Sequence, residues 1–241
     1  MNRQTGVIRF FIFCMGGGDD QTGWVQFGQV QHIADQTIGE GKAGPMIIVM
    51  PDANTGVRGY FNAADGSFEY EDFFFQELIP HIEKTYRVRS ERRYRAVAGL
   101  SMGGGGTIFY ALHHPEMFAA AAPLSAATGN WDMEQLKKRL KDSGSKATGQ
   151  QIENYYHRHN IESLIKNASE EELKKIKQIR WYISCGDDDF LYEGNSLMHI
   201  LFHKNEISHE YRVKDGAHTW TYWRDELPIV LEFVAKSFMQ H

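Results

Sequence analysis

Gly99-Leu100-Ser101-Met102-Gly103 stands directly after a strand-like run, Tyr94–Ala98, and shortly before a helix-like segment, Thr107–His113. A serine between small residues at such a junction fits a tight strand-to-helix turn that lifts its oxygen clear of the backbone. The helix that follows aims its first amides, and its positive dipole end, at negative charge developing on a substrate. Ser101 is therefore a candidate nucleophile, and the Met102 N–H a candidate oxyanion donor. A phosphate-binding reading of Gly103–Gly106 fails, because Thr107 follows the last glycine with no lysine before it. A dinucleotide fingerprint fits the serine and its apolar neighbours poorly.

The rest of the chain alternates in the same way. Val7–Cys14, Met46–Met50, Ala119–Leu124, Arg180–Ser184 and Glu210–Val213 read as further strands. Phe27–Ile38, Tyr70–Lys84 and Leu227–Phe238 read as helices between or after them. Apolar runs alternating with helices predict an α/β fold, with a mostly parallel central sheet covered on both faces. Between Ser125 and Arg180 three charged, helix-like segments occur without a strand. The chain reads as one domain over 1–241, with a helical lid inserted at about 126–179, where substrate contacts are often made.

Composition narrows the function. A formal charge of −5 supplies no basic footprint, so nucleic acid is not an expected partner. No apolar run approaches the roughly 18 residues of a membrane span. Asn2-Arg3 ahead of Ile8–Cys14 imitates an export leader, but Arg9 interrupts the apolar core, and a buried strand is the better reading. The compartment is left open. Two cysteines, Cys14 and Cys185, imply no disulfide framework and read as separate buried thiols.

A serine hydroxyl needs a base. Of eleven histidines, His218 lies in Asp215-Gly216-Ala217-His218-Thr219-Trp220, between the last strand and the last helix, where a loop can present it to Ser101. His199 and His203 are one helical turn apart, a spacing able to chelate a metal. Without an H-E-x-x-H pattern they read as surface or core residues, and no metal or cofactor is expected. The base in turn needs a carboxylate. Asp187, Asp188 and Asp189 compete after the strand ending at Ser184. Loop geometry decides among them, and Asp189, beside apolar Phe190-Leu191, is best placed to be part-buried. The order Ser, Asp, His is the one such folds use. A second oxyanion donor is expected from the glycine turn Met15-Gly16-Gly17-Gly18, at the Gly16 N–H.

These stretches, together with Val49-Met50-Pro51-Asp52 and the Glu-Leu-Ile-Pro core of Phe74–Tyr86, resemble the esterase D / feruloyl esterase branch of the α/β-hydrolases. Tributyrin esterases, acetyl-xylan-type esterases, S-formylglutathione hydrolases and mycolyltransferases are in the same branch. The resemblance runs over nearly the whole chain. It implies the α/β-hydrolase fold, a serine esterase activity, and an acid at the fourth position of a G-x-x-D loop, which selects Asp189. Cys14-Met15 stands where such proteins usually carry His-Gly, and they usually carry further strands ahead of that point.

The expected chemistry is hydrolysis of short-chain or carbohydrate-linked acetyl or feruloyl esters through an acyl-enzyme. The substrate is a small molecule or is attached to a polysaccharide. Trp24, Trp131 and Trp220 lie near loop ends and are candidate substrate-binding residues, since aromatic rings suit a ferulate or a sugar face. The same triad would serve an acyltransferase, and the unusual Cys14-Met15 leaves room for a catalytically silent binding protein. A homodimer is compatible with the sequence.

Overall fold

The computed structural model describes residues 9–54, 59–129 and 131–239. Among these residues six strands form a single sheet: β1 (Arg9–Cys14), β2 (Met46–Val49), β3 (Arg95–Leu100), β4 (Ala120–Leu124), β5 (Arg180–Gly186) and β6 (His209–Lys214). Their order is β2-β1-β3-β4-β5-β6, and every neighbouring pair is parallel. The expected first strand thus appears from Arg9, while Val7 and Ile8 lie outside the described residues.

Both faces of the inner strands are buried, which is why β1, β3, β4 and β5 read as largely apolar runs rather than as alternating ones, whereas the edge strand β6 is charged and half exposed. In β1, Phe10 and Ile12 join one core cluster, and Phe11 and Phe13 join the other. The first cluster is completed by α5 (Met102–His113) and α10 (Tyr192–Lys204). The second is closed by α2 (Val30–Gly39), which follows the short α1 (Gly23–Gln26), and by α11 (Trp220–Ser237).

Three helices differ from expectation for physical reasons. The segment after Glu69 is one helical run, α3 (Tyr70–Phe73), a wide π turn (Phe74–Leu78) and α4 (Ile79–Thr85). Pro80 sits in the first turn of α4, and the wide turn ahead of it fits a residue that lacks an N–H and clashes with the preceding turn. The last helix starts at Trp220, seven residues ahead of the apolar stretch that suggested it, because Thr219 caps it by accepting from the Tyr222 N–H.

The third difference lies at Gly103–Gly106, which form the first turns of α5 rather than a loop. A Cβ on Gly103 would lie 2.5 Å from the Cys14 and Met15 carbonyls, and one on Gly105 would lie 2.5 Å from the Ala127 carbonyl. Helical glycine costs about 1 kcal/mol against alanine. Here it lets α5 sit on the end of β1 and on the chain leaving β4.

Among the described residues between β4 and β5 there are four helices rather than three: α6 (Met133–Asp142), α7 (Gln150–Arg158), α8 (Ile161–Asn167) and α9 (Glu170–Lys177). The end of α7 is tied to the body at Glu71, which is 1% exposed. One Glu71 oxygen meets His113 Nδ1 at 2.7 Å and the Arg158 guanidinium at 2.9 Å. The other nitrogen of His113 meets the Arg158 carbonyl at 2.8 Å.

Candidate active site

All the expected site residues except the tryptophans arise where strands end, at the carboxyl edge of the parallel sheet. That is where open α/β sheets place their ligand sites. Ser101 follows β3 with φ 55° and ψ −117°, a left-handed conformation that costs a non-glycine residue roughly 1–3 kcal/mol. Its backbone is held on both sides: the N–H donates to Leu124 at 2.9 Å, and the carbonyl accepts from Gly105 and Ala127. The strained turn is thus fixed by β4 and α5 together.

His218 Nε2 lies 2.9 Å from Ser101 Oγ, and His218 Nδ1 lies 2.8 Å from an Asp189 oxygen. The three side chains form one hydrogen-bonded row. The acid loop and the histidine loop are joined edge to edge: Asp187 N–H donates to Lys214, Asp188 N–H to Gly216, and Gly216 N–H to the Asp187 carboxylate at 3.0 Å. This arrangement separates the three competing aspartates. Asp187 and Asp188 are exposed, and only Asp189 is buried against the imidazole.

Burial works to raise the Asp189 carboxyl, yet the His218 ring, the Leu191 amide and the Ser125 hydroxyl outweigh it and hold the group below the ordinary carboxylate value. Ser125 is fully buried after β4 with φ 44°. Its oxygen accepts from the Trp223 indole N–H at 3.1 Å. Indole nitrogen only donates, so the Ser125 proton is left for the acceptors beside it, the Asp189 carboxylate and the Cys185 sulfur. The Trp223 ring also stands edge-on to His218 at 4.9 Å, and Phe190, 71% exposed, covers the imidazole from 4.5 Å. Ser125 went unnoticed in the sequence, although its position one residue beyond a parallel strand was a usable signal.

Met102 is the first residue of α5, so its N–H is among the four that a helix leaves without an internal partner. Gly16 lies against the serine: a Cβ there would come 2.6 Å from Leu100 and 3.5 Å from the Ser101 Cβ. The unusual Cys14-Met15 pair is absorbed into the core. Met15 N–H donates to the Tyr60 hydroxyl, Tyr110 hydroxyl donates to the Tyr60 carbonyl, and burial pushes the Cys14 thiol far up. Cys185 is likewise a free buried thiol, pushed up to about 12 by burial.

The tryptophans separate. Trp24 has 0% exposure, stacks on Phe13 at 3.7 Å, and donates its N–H to the Cys14 carbonyl. A ring with no free surface contacts no substrate, so Trp24 is a core residue and not the substrate-binding one the sequence suggested. Trp220 is half-buried, edge-on to Trp24 and Trp223 at 5.2 and 5.3 Å. Trp131 lies ahead of α6 beneath the Arg139 guanidinium at 4.7 Å. It lines an open cavity with Gln135, Lys138, Arg139 and Asp142, to which no triad residue contributes.

The carboxylates of Asp187, Asp188 and Asp215 approach one another within 4.8 Å, all exposed. They surround the loop junction rather than the serine. Among the described residues no helix is long and apolar enough to cross a membrane.

Part of the chain is similar to an endo-1,4-beta-xylanase/feruloyl esterase of Xylanibacter ruminicola, 38% identical over 118 residues, covering 47% of this chain and 16% of that protein. An acetyl esterase of Caldicellulosiruptor saccharolyticus is 27% identical over 179 residues, 69% of this chain and 64% of its own. The chain therefore spans less than two thirds of the length of these relatives. Among solved structures, a ferulic acid esterase superposes with a TM-score of 0.81 at 32% identity, covering 97% of this chain and 86% of that one. The family described as "Putative esterase" matches residues 11–233. With that match running from the first described strand into the last helix, the chain belongs to this esterase family, and its parallel sheet is that of an α/β-hydrolase.

Proposed function

We propose that this chain is a serine carboxylic ester hydrolase acting through an acyl-enzyme on Ser101. The observation that carries the reading is the unbroken row Asp189–His218–Ser101, with links of 2.8 and 2.9 Å, ending on a strained serine at a helix N-terminus. In the first step His218 Nε2 takes the Ser101 proton as Oγ attacks the ester carbonyl. Asp189 holds Nδ1–H and offsets the positive charge that forms on the ring. The Met102 and Gly16 amides receive the oxyanion, each such donor being worth roughly 10²–10³ in rate. The alcohol then leaves with the proton from His218. Water enters, gives its proton to His218, and attacks the acyl carbonyl to release the acid.

The substrates are short-chain acetyl or feruloyl esters, including those carried on polysaccharides. The names of the feruloyl and acetyl esterase relatives support this choice. Trp220 and exposed Phe190 are the aromatic surfaces on offer beside His218 and Trp223. The one-domain organisation, with α6 to α9 as a lid, is part of the same proposal.

The test is hydrolysis of p-nitrophenyl acetate, butyrate and octanoate and of methyl ferulate, alongside Ser101→Ala. Turnover abolished by the substitution is the expected result. Equal rates in both proteins would overturn the reading, and product formed only with an alcohol acceptor would make the enzyme an acyltransferase.

A further inference from the structure

The geometry points to a transition-metal site, separate from the serine, built by His199, His203 and His209 at the opposite end of the sheet. Its ion would be a borderline divalent one such as zinc.

His199 and His203 lie on α10, four residues apart and so on one face. His209 opens β6 and is brought to them by the turn after α10. His199, His203 and His209 line one cavity of about 600 Å³ with Tyr211. Sequence spacing presented only the first two. The third ligand became visible only with the fold.

Hydrogen bonding prepares the nitrogens. His209 Nδ1 lies 2.7 Å from the Ile207 carbonyl, which can only accept, so Nδ1 carries the proton and Nε2 presents a lone pair. A ring nitrogen bound to a backbone carbonyl is the outer-shell contact that orients most metal-bound histidines. His209 Nε2 in turn lies 2.8 Å from His199 Nδ1. Two imidazole nitrogens on one tetrahedral zinc, each about 2.0–2.1 Å from it, stand about 3.3 Å apart. Opening the pair by about half an ångström therefore admits the ion. The ion takes the place of the shared proton, which moves to His199 Nε2.

The ring of His199 is held by stacking on Tyr211, 4.6 Å away and 15° from parallel. His203 is exposed, with its ring centroid 6.4 Å from that of His199; the three rings' nitrogens do not all lie within 4.8 Å of one another, so the proposed site is completed only when His203 swings toward the His199–His209 pair. Glu206 lines the same cavity, but its carboxylate faces Lys177 at 3.5 Å and is left out of the ligand set. Imidazole-rich sets suit zinc, copper and nickel rather than calcium or magnesium.

The site would tie the end of α10 to the start of β6. His209 pairs with Trp181 at the beginning of β5, whereas Gly186 and Lys214, at the far ends of those strands, lead into the acid and histidine loops. An ion bound there stabilises the folded chain without touching Ser101.

The experiment is zinc titration of the chelator-stripped protein by calorimetry, with thermal melting in the presence and absence of zinc. The wild type is expected to bind one equivalent at these histidines and to melt higher with zinc. His203→Ala, at an exposed position that leaves the fold intact by circular dichroism, and His209→Gln should each weaken binding by about tenfold or more and remove the melting shift. Asp187→Asn tests the exposed carboxylate group and should leave the zinc affinity and the zinc-induced rise in melting temperature unchanged, even where the melting temperature itself falls. No zinc binding by the wild type would overturn the assignment. So would binding that survives both histidine substitutions, or binding that is lost only in Asp187→Asn.

Discussion

The Ser125 hydroxyl accepts a hydrogen bond from the Trp223 indole at 3.1 Å, joining two residues 98 positions apart directly behind the acid of the triad. That bond leaves the Ser125 proton free to face the acid, and the hydroxyl is one of the groups that hold Asp189 below the ordinary carboxylate value. Ser125→Ala should lower kcat/KM by about tenfold, the usual loss for one hydrogen bond to a charged group. The acid limb of the pH–rate profile, which belongs to the Asp189–His218 pair as a unit, should move to higher pH. A rate loss with an unmoved acid limb would assign Ser125 to packing alone.

The three aspartates of one loop should give three different results. Asp189→Asn should cost about 10³–10⁴ in kcat on p-nitrophenyl butyrate, since the imidazole then loses its oriented tautomer. Asp188→Asn, at an exposed side chain, should stay within a few-fold of wild type. Asp187→Asn weakens the acceptor for the Gly216 N–H and should lower the melting temperature more than the rate constant.

Two glycine-to-alanine changes in helices should have opposite signs. At Gly39, the last residue of α2, a Cβ meets nothing within 4 Å, and the substitution should raise stability by up to about 1 kcal/mol. At Gly103 the added methyl would press on the Cys14 and Met15 carbonyls at 2.5 Å, and overpacking should cost about 1–3 kcal/mol or more. Urea denaturation of both variants checks the pair.

Glu71 should make stability depend on pH. Burial acts to raise its carboxyl, and His113, His114 and Arg158 reverse this and hold it far below its ordinary 4.5. A folded value depressed in this way contributes stability above about pH 4.5, and the contribution is lost as the pH falls through the folded value. Glu71→Gln should therefore melt well below wild type at pH 7, by the roughly 3–5 kcal/mol of a broken buried pair. The gap should narrow steadily below pH 4.5. A gap independent of pH would mean that the carboxylate charge is not what holds α7 to the body.

Much of the architecture was legible because strands buried on both faces advertise themselves, as Phe10–Cys14 and Ala120–Leu124 do. Ser101, Asp189 and His218 were readable for a related reason: each lies shortly after a strand, apolar for Ser101 and Asp189 and polar for His218, where a parallel sheet delivers side chains to one edge. What stayed hidden depends on distance through space. The Gly103–Gly106 run looks like a loop until the backbones it touches are in place. Trp24 looks like a loop-end aromatic until Phe13 is stacked on it. His209 carries no spacing that links it to His199, and Ser125 none that links it to Trp223.

β4 and β5 are hydrogen-bonded neighbours running the same way, so the chain needs only about a dozen residues to cross back from one to the other. It uses residues 125–179. Among its described residues the surplus carries no strand of the sheet and no member of the Asp189–His218–Ser101 row. On the proposed reading of α6 to α9 as a lid, they form an exchangeable cassette held to the body at the Glu71 clasp, and a breeder of new esterases could swap it to alter what is accepted while Asp189, His218 and Ser101 are left as they stand.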